Sequence, residues 1–550
     1  MNNSVSRQRS RRLEWLGTAV VLAVATWYWL KYFNRNTNLL DEGSTAAQAM
    51  RVLRGELIYR DFFTVVTPFS YYTVAWLFKA FGEQLMVLRW AALATGVGIA
   101  FTALLITRRI AAWPFAAAAA LMTTVWGWFL VAPNFYSWEA ALLSLIALAC
   151  YVYGSPSPRW LIAAGIATGV TAMTKQNIGA YTAAGLFVTI WASRIYDDRW
   201  DANGRIKMSA QFIAGMCVPV IPTVLWLMVA GAGPYLYESW IYYPLAKYPE
   251  RFSRPFPGFF PLAENDVFDL WTKLVIYMPV VVYPLALIAI VMLARRWQQR
   301  NDRGAKLEGH ALLATWSVGI LTLLQAFPRA DVTHVLFGMQ PTYILFAYLC
   351  YCAFRLLIAI PGPRAAIIAV ALAITLLPGA LLLRKGYQRT DWEFQNYIAG
   401  LHIDRGKGIF TGLLEAQRID IVTKYITEHS SPDDGVFVVP WASGFNFLTN
   451  RMNPTRLDFM LFEDQEAYPC LLSRLDERPP KYVIYGYTWD VDDKRFRDYA
   501  APVDQYIRSR YAIEFTTDGY EIWRRINAPV SSAAFAGACQ PRRFRLSSVP

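Results

Sequence analysis

The chain has 550 residues, of which 55% are hydrophobic, 15% aromatic and only 17% charged, with a mean hydropathy of +0.26. This excludes an ordinary soluble enzyme of that length and indicates a chain that crosses a membrane many times. In a soluble protein the net charge of +13 would suggest nucleic acid, but here the excess sits between apolar runs, so topology accounts for it and no nucleic-acid partner is expected.

The basic start MNNSVSRQRSRR is followed by an apolar run from Leu13 to Phe33. The run is long, ends in Trp27-Tyr28-Trp29 and lacks a small-residue cleavage site, so it reads as a retained first helix with a cytoplasmic N-terminus at 1–12. Next comes NTNLLDEGSTAAQAMRVLRGE, with the adjacent acids Asp41 and Glu42. Its segment 44–54 places Ala46, Met50 and Leu53 on one face and Gln48, Arg51 and Arg54 toward another. An interfacial amphipathic helix along the outer leaflet is expected there. Apolar segments 84–107, 110–131, 137–153, 159–174, 178–195, 209–231, 271–294, 309–327, 334–354 and 365–383 complete a set of about eleven spans over 13–383.

With the N-terminus inside, the short inner links carry twelve Lys and Arg. The short outer links 131–138, 175–181 and 328–333 carry only Lys175 and Arg329. That asymmetry supports the orientation, and an odd number of spans then puts the C-terminal region outside. Two long outer loops follow from this, 34–83 and 231–270. The second contains YYPLAKYPERFSRPFPGFFP and reads as an irregular interfacial loop.

Past 383 the composition changes. Helices are expected over 415–430, 463–476 and 491–510, and strands in DDGVFVVPW and PPKYVIYGY. YAIEFTTDGYEIWRR reads as a hairpin turning at Asp518-Gly519. This alternation suggests a small extracytoplasmic α/β domain over 384–530, with a disordered tail at 531–550. The fold class expected is thus an α-helical multi-span membrane protein with a C-terminal α/β domain. Cys150, Cys217, Cys350 and Cys352 lie in apolar runs and read as buried thiols. Cys470 and Cys539 lie in the polar part, where an extracytoplasmic location would allow a disulfide.

Ionisable and polar groups collect at the outer helix ends. They are Asp41 and Glu42; Arg60 and Asp61; Asn134, Tyr136 and Glu139; Lys175, Gln176 and Asn177; and Arg329, Asp331 and His334. Each has a plainer reading. Asp41 suits an N-cap, Glu42 caps or orients, and Arg60 and Asp61 pair with each other. Lys175 and Arg329 suit snorkelling to headgroups, and His334 suits a helix start. Glu139, inside an apolar run, is costly there without a partner.

The acidic pair after the first helix, the amphipathic segment after it, YRDFFTVVTPFSYY and the PRADVTH loop resemble GT-C-type glycosyltransferases. The group resembled most is the protein-mannosyltransferase and aminoarabinose-transferase superfamily with its Rgt-like bacterial branch. The resemblance covers roughly 1–345 and is strongest over 38–90. It implies a GT-C-like membrane domain and inverting transfer of a hexosyl or pentosyl unit from a polyprenyl-phosphate carrier. The acceptor would be an envelope glycan, lipid or protein on the extracytoplasmic side of the inner membrane.

By that resemblance Asp41 matches the family's acid and would take the proton of the attacking hydroxyl, with Glu42 beside it orienting Asp41 or binding acceptor. A lipid phosphate leaves well without a proton donor and needs cations instead; Lys175, Arg329, His334 and, in reserve, Arg60 are the candidates. Asp61, Asp331, Glu139 and Gln176 are candidates for contacting sugar or acceptor. Some members of the class need a divalent metal, but one carboxylate pair and one His assign no site here, so no cofactor is assigned. The competing readings are another envelope-polymer enzyme of ligase type, or a transporter or binding protein. A transporter calls for mid-bilayer polar residues and a repeat, and the sequence offers neither.

Overall fold

The apolar runs become long helices and the alternating C-terminal pattern becomes a small sheet packed with helices. The computed structural model describes residues 2–127, 135–154, 157–196, 201–260, 269–462, 467–487 and 494–526. Asn134, Cys539 and the tail 531–550 lie outside them.

The membrane part begins with α1 (Asn2–Tyr32), α2 (Asp41–Leu53) and α3 (Phe69–Phe81). It continues through α4 (Leu85–Ile110), α5 (Trp113–Val125), α6 (Phe135–Gly154), α7 (Pro158–Thr174), α8 (Gln176–Ala192) and α9 (Ala202–Val229). After α10 (Gly233–Tyr237), a π-type helix over Glu238–Lys247 and α11 (Tyr248–Phe252) come α12 (Leu270–Arg300), α13 (Arg303–Leu323), α14 (Val332–Phe337), α15 (Gln340–Leu357) and α16 (Arg364–Asn396). Among the described residues eight helices are long and apolar enough to cross a membrane. All eleven expected segments are helical, but α5, α7 and α15 fall short of that measure of length and apolarity.

The sequence reading needs five corrections here. Segment 334–354 is two helices, because the chain breaks between α14 and α15 at Gly338 and Met339. The loop 231–270 is helical from Gly233 to Phe252 rather than irregular. Helix α3 was not expected, and α16 runs well past 383. The fifth concerns α2. Both its apolar Met50 and its polar Gln48 and Arg51 are buried, so it is not a helix lying on a leaflet. It is enclosed between the bundle and the C-terminal region, where polar side chains find protein partners instead of water.

Beyond α16, the short strands β1 (Ala399–Gly400) and β2 (Phe410–Thr411) lead into α17 (Leu413–His429), β3 (Val436–Val439) and α18 (Gly444–Thr449). Then come α19 (Tyr468–Glu477), β4 (Tyr482–Gly486), α20 (Phe496–Tyr499), α21 (Ala501–Arg510), β5 (Tyr511–Thr517) and β6 (Tyr520–Arg525). The sheet order is β3-β4-β6-β5, with β3 and β4 parallel and the other pairs antiparallel. β3 and β4 are apolar throughout and wholly buried, as strands covered on both faces must be. β5 lies at the edge with Ala512, Ile513, Glu514 and Thr516 exposed. The hairpin turns at Asp518-Gly519, where Gly519 has φ +87°, a conformation open to glycine without steric cost. Cys470 is disulfide-bonded, while the four cysteines of the apolar runs are free.

Candidate active site

One end of the bundle gathers the exit of α1, the α7–α8 junction and the segment between α13 and α14. Asn38 shapes the start of α2. Its Oδ1 accepts from the backbone N–H groups of Leu40 (3.0 Å) and Asp41 (2.7 Å). Its Nδ2 donates to Asp41 Oδ2 at 3.0 Å. Asp41 is therefore the first helical residue and not the cap. Its carboxylate stays available, recessed in a site where burial raises its pKa against the opposing pull of Asn38, His334 and Arg329. A carboxylate made more basic in this way is better matched to taking a proton near neutral pH.

Lys175 is the single residue between α7 and α8. Its Nζ donates to Ser137 Oγ at 2.9 Å and stands over the rings of Tyr136 (5.7 Å) and Phe337 (5.2 Å). Burial lowers its pKa to about 8, partly offset by the charge of Asp41. Asp331 organises the remaining cations. It caps α14, and its Oδ1 accepts from the backbone N–H (3.0 Å) and the Nδ1 (2.7 Å) of His334. Its Oδ2 accepts from Arg329 Nε at 2.9 Å. Although burial opposes ionisation, the hydrogen bonds and charge of His334 and the charge of Arg329 hold Asp331 down at about 2. With the proton on Nδ1, the Nε2 of His334 is a lone pair in the neutral ring and a donor in the imidazolium. Gln325 donates from Nε2 to the carbonyl of His334. The backbone of 328–330 is itself braced by Arg254, which exchanges bonds with Pro328 O (3.1 Å) and Ala330 N (2.9 Å). Asp41, Lys175, Arg329, Asp331 and His334 thus form one electrostatic group.

Three expected members lie apart from it. Glu42 is turned toward α4 and grips Arg89 in a bidentate pair. Arg89 also donates to the carbonyls of Phe33 (3.0 Å), Arg35 (3.0 Å) and Asn36 (2.7 Å), so all five of its N–H groups are used. This geometry turns Glu42 away from Asp41: successive residues of a helix point about 100° apart, and the charge of Arg89 claims this one. Arg60 also has a partner of its own. It forks onto Asp61 (2.9 and 2.7 Å), and Asp61 also accepts from Leu57 N at 2.8 Å. The plainer pairing describes both residues.

Glu139 and Gln176 stand near the group. Glu139 meets the hydroxyls of Ser70 and Thr73 of α3, polar neighbours of the kind expected from sequence, while its Oε2 has no hydrogen-bond partner among the described residues. Gln176 donates to Val65 O, and its Oε1 is likewise unbonded. Among the described residues no group of three or more His, Cys, Asp or Glu is placed to hold a metal ion.

Sequence reading missed Asn38, Arg89, Ser137, Gln325 and Asp458. Arg89 had a visible signal, a lone Arg inside LMVLRWAALATG, which demands a partner. Ser137 and Asp458 are polar residues whose partners are distant in sequence, whereas Asn38 and Gln325 bond residues close by.

No family model matches the chain, and no curated protein matches it. Solved structures do. ArnT from Cupriavidus metallidurans in the apo state has TM-score 0.59 at 15% identity, over 94% of this chain and 98% of that one. The same protein bound to undecaprenyl phosphate gives 0.53 at 15%, over 95% and 99%. The Archaeoglobus fulgidus oligosaccharyltransferase AglB, in complex with an inhibitory peptide and a dolichol-phosphate, gives 0.53 at 13%, over 94% and 75%. The fold is that of these GT-C-type glycosyltransferase structures, as the resemblance implied.

Proposed function

We propose that this multi-pass membrane protein is an inverting glycosyltransferase. It moves a sugar from a polyprenyl-phosphate carrier to an envelope glycan, lipid or protein on the extracytoplasmic side of the inner membrane. The observation that carries this reading is the recessed carboxylate of Asp41, relieved of capping by Asn38 and facing Lys175, Arg329 and His334. The fold shared with structures holding undecaprenyl phosphate and dolichol-phosphate supports the donor class.

Asp41 takes the proton of the acceptor hydroxyl as its oxygen attacks the anomeric carbon from the face opposite the phosphate. The bond from that carbon to the phosphate oxygen breaks, and its electron pair leaves on the polyprenyl phosphate. Lys175 and Arg329 hold the charge that develops there, with His334 donating from Nε2 when protonated. The prior assembly of Arg329 and His334 around Asp331 avoids reorganisation during the step. The unbonded acceptors of Glu139 and Gln176 take hydroxyl groups of sugar or acceptor. Glu42, Arg60 and Asp61 serve the frame.

The test is a mass comparison of envelope glycans and glycolipids with and without the gene, and with Asp41→Asn. One sugar missing from one acceptor in both defective strains is the expected result. An unchanged profile when Asp41→Asn is correctly inserted removes Asp41 as the base.

A further inference from the structure

Helix α2 carries Asp41 in its first turn, yet the C-terminal region holds it along its length. Near Asp41, Gly444 N donates to Leu39 O at 3.1 Å, and the hydroxyls of Ser44 and Ser443 meet at 2.8 Å. A Cβ on Gly43 would lie 2.5 Å from Gly444 Cα, and one on Gly444 only 2.9 Å from Leu39 Cδ2. The two backbones touch where only glycine fits.

Two turns further on, the buried carboxylate of Asp458 accepts from Gln48 Nε2 (3.0 Å), Arg51 Nη1 (3.3 Å) and Asn453 Nδ2 (3.0 Å). Arg51, 3% exposed, is bonded also to Glu56 and to the carbonyls of Asp61 (2.9 Å) and Thr455 (2.9 Å). Gln48 lies seven residues after Asp41 and so on the same helix face. A buried ion pair of this kind adds little net stability, and specifying geometry is the better use of one.

We propose that residues 443–458 form a clamp that sets the position of Asp41, with Gly444 and Asp458 as positioning residues. The C-terminal region is then part of the transfer apparatus and not an appendage for handling the acceptor alone. The inference rests on Asp41 being the base. The backbone contact fixes the helix beside its first turn, and the Gln48–Asp458–Arg51 bonds fix its rotation. A small rotation of α2 would swing the Asp41 carboxylate away from the attacking hydroxyl without touching Lys175, Arg329 or His334.

The experiment uses full-length Asp458→Asn, Gly444→Ala and Asp41→Asn in lipid vesicles supplied with a total polyprenyl-linked lipid and glycolipid extract of the native envelope. Three quantities are read: the rate at which undecaprenyl phosphate is released, binding of added undecaprenyl phosphate, and hydrogen exchange of peptides covering 38–53. In both clamp variants α2 should exchange faster and release should slow about 10- to 100-fold, the penalty of misplacing a reacting group by ~1 Å. Undecaprenyl phosphate affinity should stay within about twofold, because the cations that bind phosphate are untouched.

Gly444→Ala removes no hydrogen bond, so it carries the test if Asp458→Asn does not fold. A full release rate with a loosened α2 overturns the clamp. So does a rate loss matched by an equal loss of undecaprenyl phosphate affinity, which would mark general damage. If Asp41→Asn keeps its rate, the base assignment fails and the clamp loses its purpose with it. If Asp41→Asn is inactive while the loosened variants run at full rate, the clamp fails alone.

Discussion

Asp41 and Glu42 are adjacent acids of the same helical turn, and the structure gives them different partners. The perturbation that separates them is the isosteric pair Glu42→Gln and Asp41→Asn. Glu42 and Arg89 are each 1% exposed and bound to one another. Neutralising Glu42 strands a buried guanidinium, and breaking a buried pair from one side costs about 3–5 kcal/mol. Because Gln keeps the shape and one acceptor, the lower end applies, and about 3 kcal/mol in a chain this long lowers Tm by roughly 2–3 °C. Asp41 takes one side-chain hydrogen bond among the described residues, from Asn38, and Asn at 41 can turn its own carbonyl to accept it. Its Tm should stay within about 1 °C of the parent, while transfer should fall about 10²–10⁴-fold for want of the proposed base. Thermal unfolding in detergent gives the first quantity, and undecaprenyl phosphate release in vesicles gives the second. Loss of transfer in Glu42→Gln at a temperature where it is folded would refute this division, as would full transfer by Asp41→Asn.

The pH profile should have two limbs of different origin. Lys175, lowered by burial to about 8, carries its charge below that pH, so undecaprenyl phosphate binding should weaken as pH rises through about 8, and Lys175→Arg should abolish that limb. On the acid side Asp331, held at about 2, contributes stability above the ordinary carboxylate range that is lost only as pH falls through about 2. Asp41, raised by burial, protonates well before that; a pH window in which transfer is lost while undecaprenyl phosphate still binds is expected by titration calorimetry. Arg329→Ala should weaken undecaprenyl phosphate binding by at least about 10-fold, the scale of one charged hydrogen bond. Arg60→Ala, which removes a partly exposed pair with Asp61, should change that binding by less than about twofold. Gly519→Ala, at φ +87°, should lower stability by about 1 kcal/mol, seen as a small fall in Tm with transfer unchanged.

The span helices were legible because a bilayer demands about twenty apolar residues in a row, and β3 and β4 because VFVV and YVIYG are short apolar runs beside turn residues. Lys175, Arg329, Asp331 and His334 were legible as the charges at one set of helix ends. What sequence could not give was the direction of each side chain within a turn. Asp41 and Glu42 look alike in the string DEG, and only the position of Arg89 on α4 tells them apart. Helix α2 was misplaced for a related reason. Its face of Gln48 and Arg51 reads as solvent-facing until Asp458, 410 residues from Gln48, is known to cover it. Helix α3, in FSYYTVAWLFKAF, was passed over because thirteen residues fall short of a span.

The separation between α2 and the residues that enclose it also bears on how the protein is made. Ser44 meets Ser443 across 399 positions of chain. At a synthesis rate of about 5–20 residues per second, the ribosome works for roughly 20–80 s between the two partners. During that interval α1 is already inserted, while Arg51 waits for Asp458 and Gly43 for Gly444. The bundle can assemble its cations in that time, but α2 has no fixed seat until residues 443–458 have emerged. On the proposed function, competence therefore arrives late in biosynthesis, only after those residues have been made.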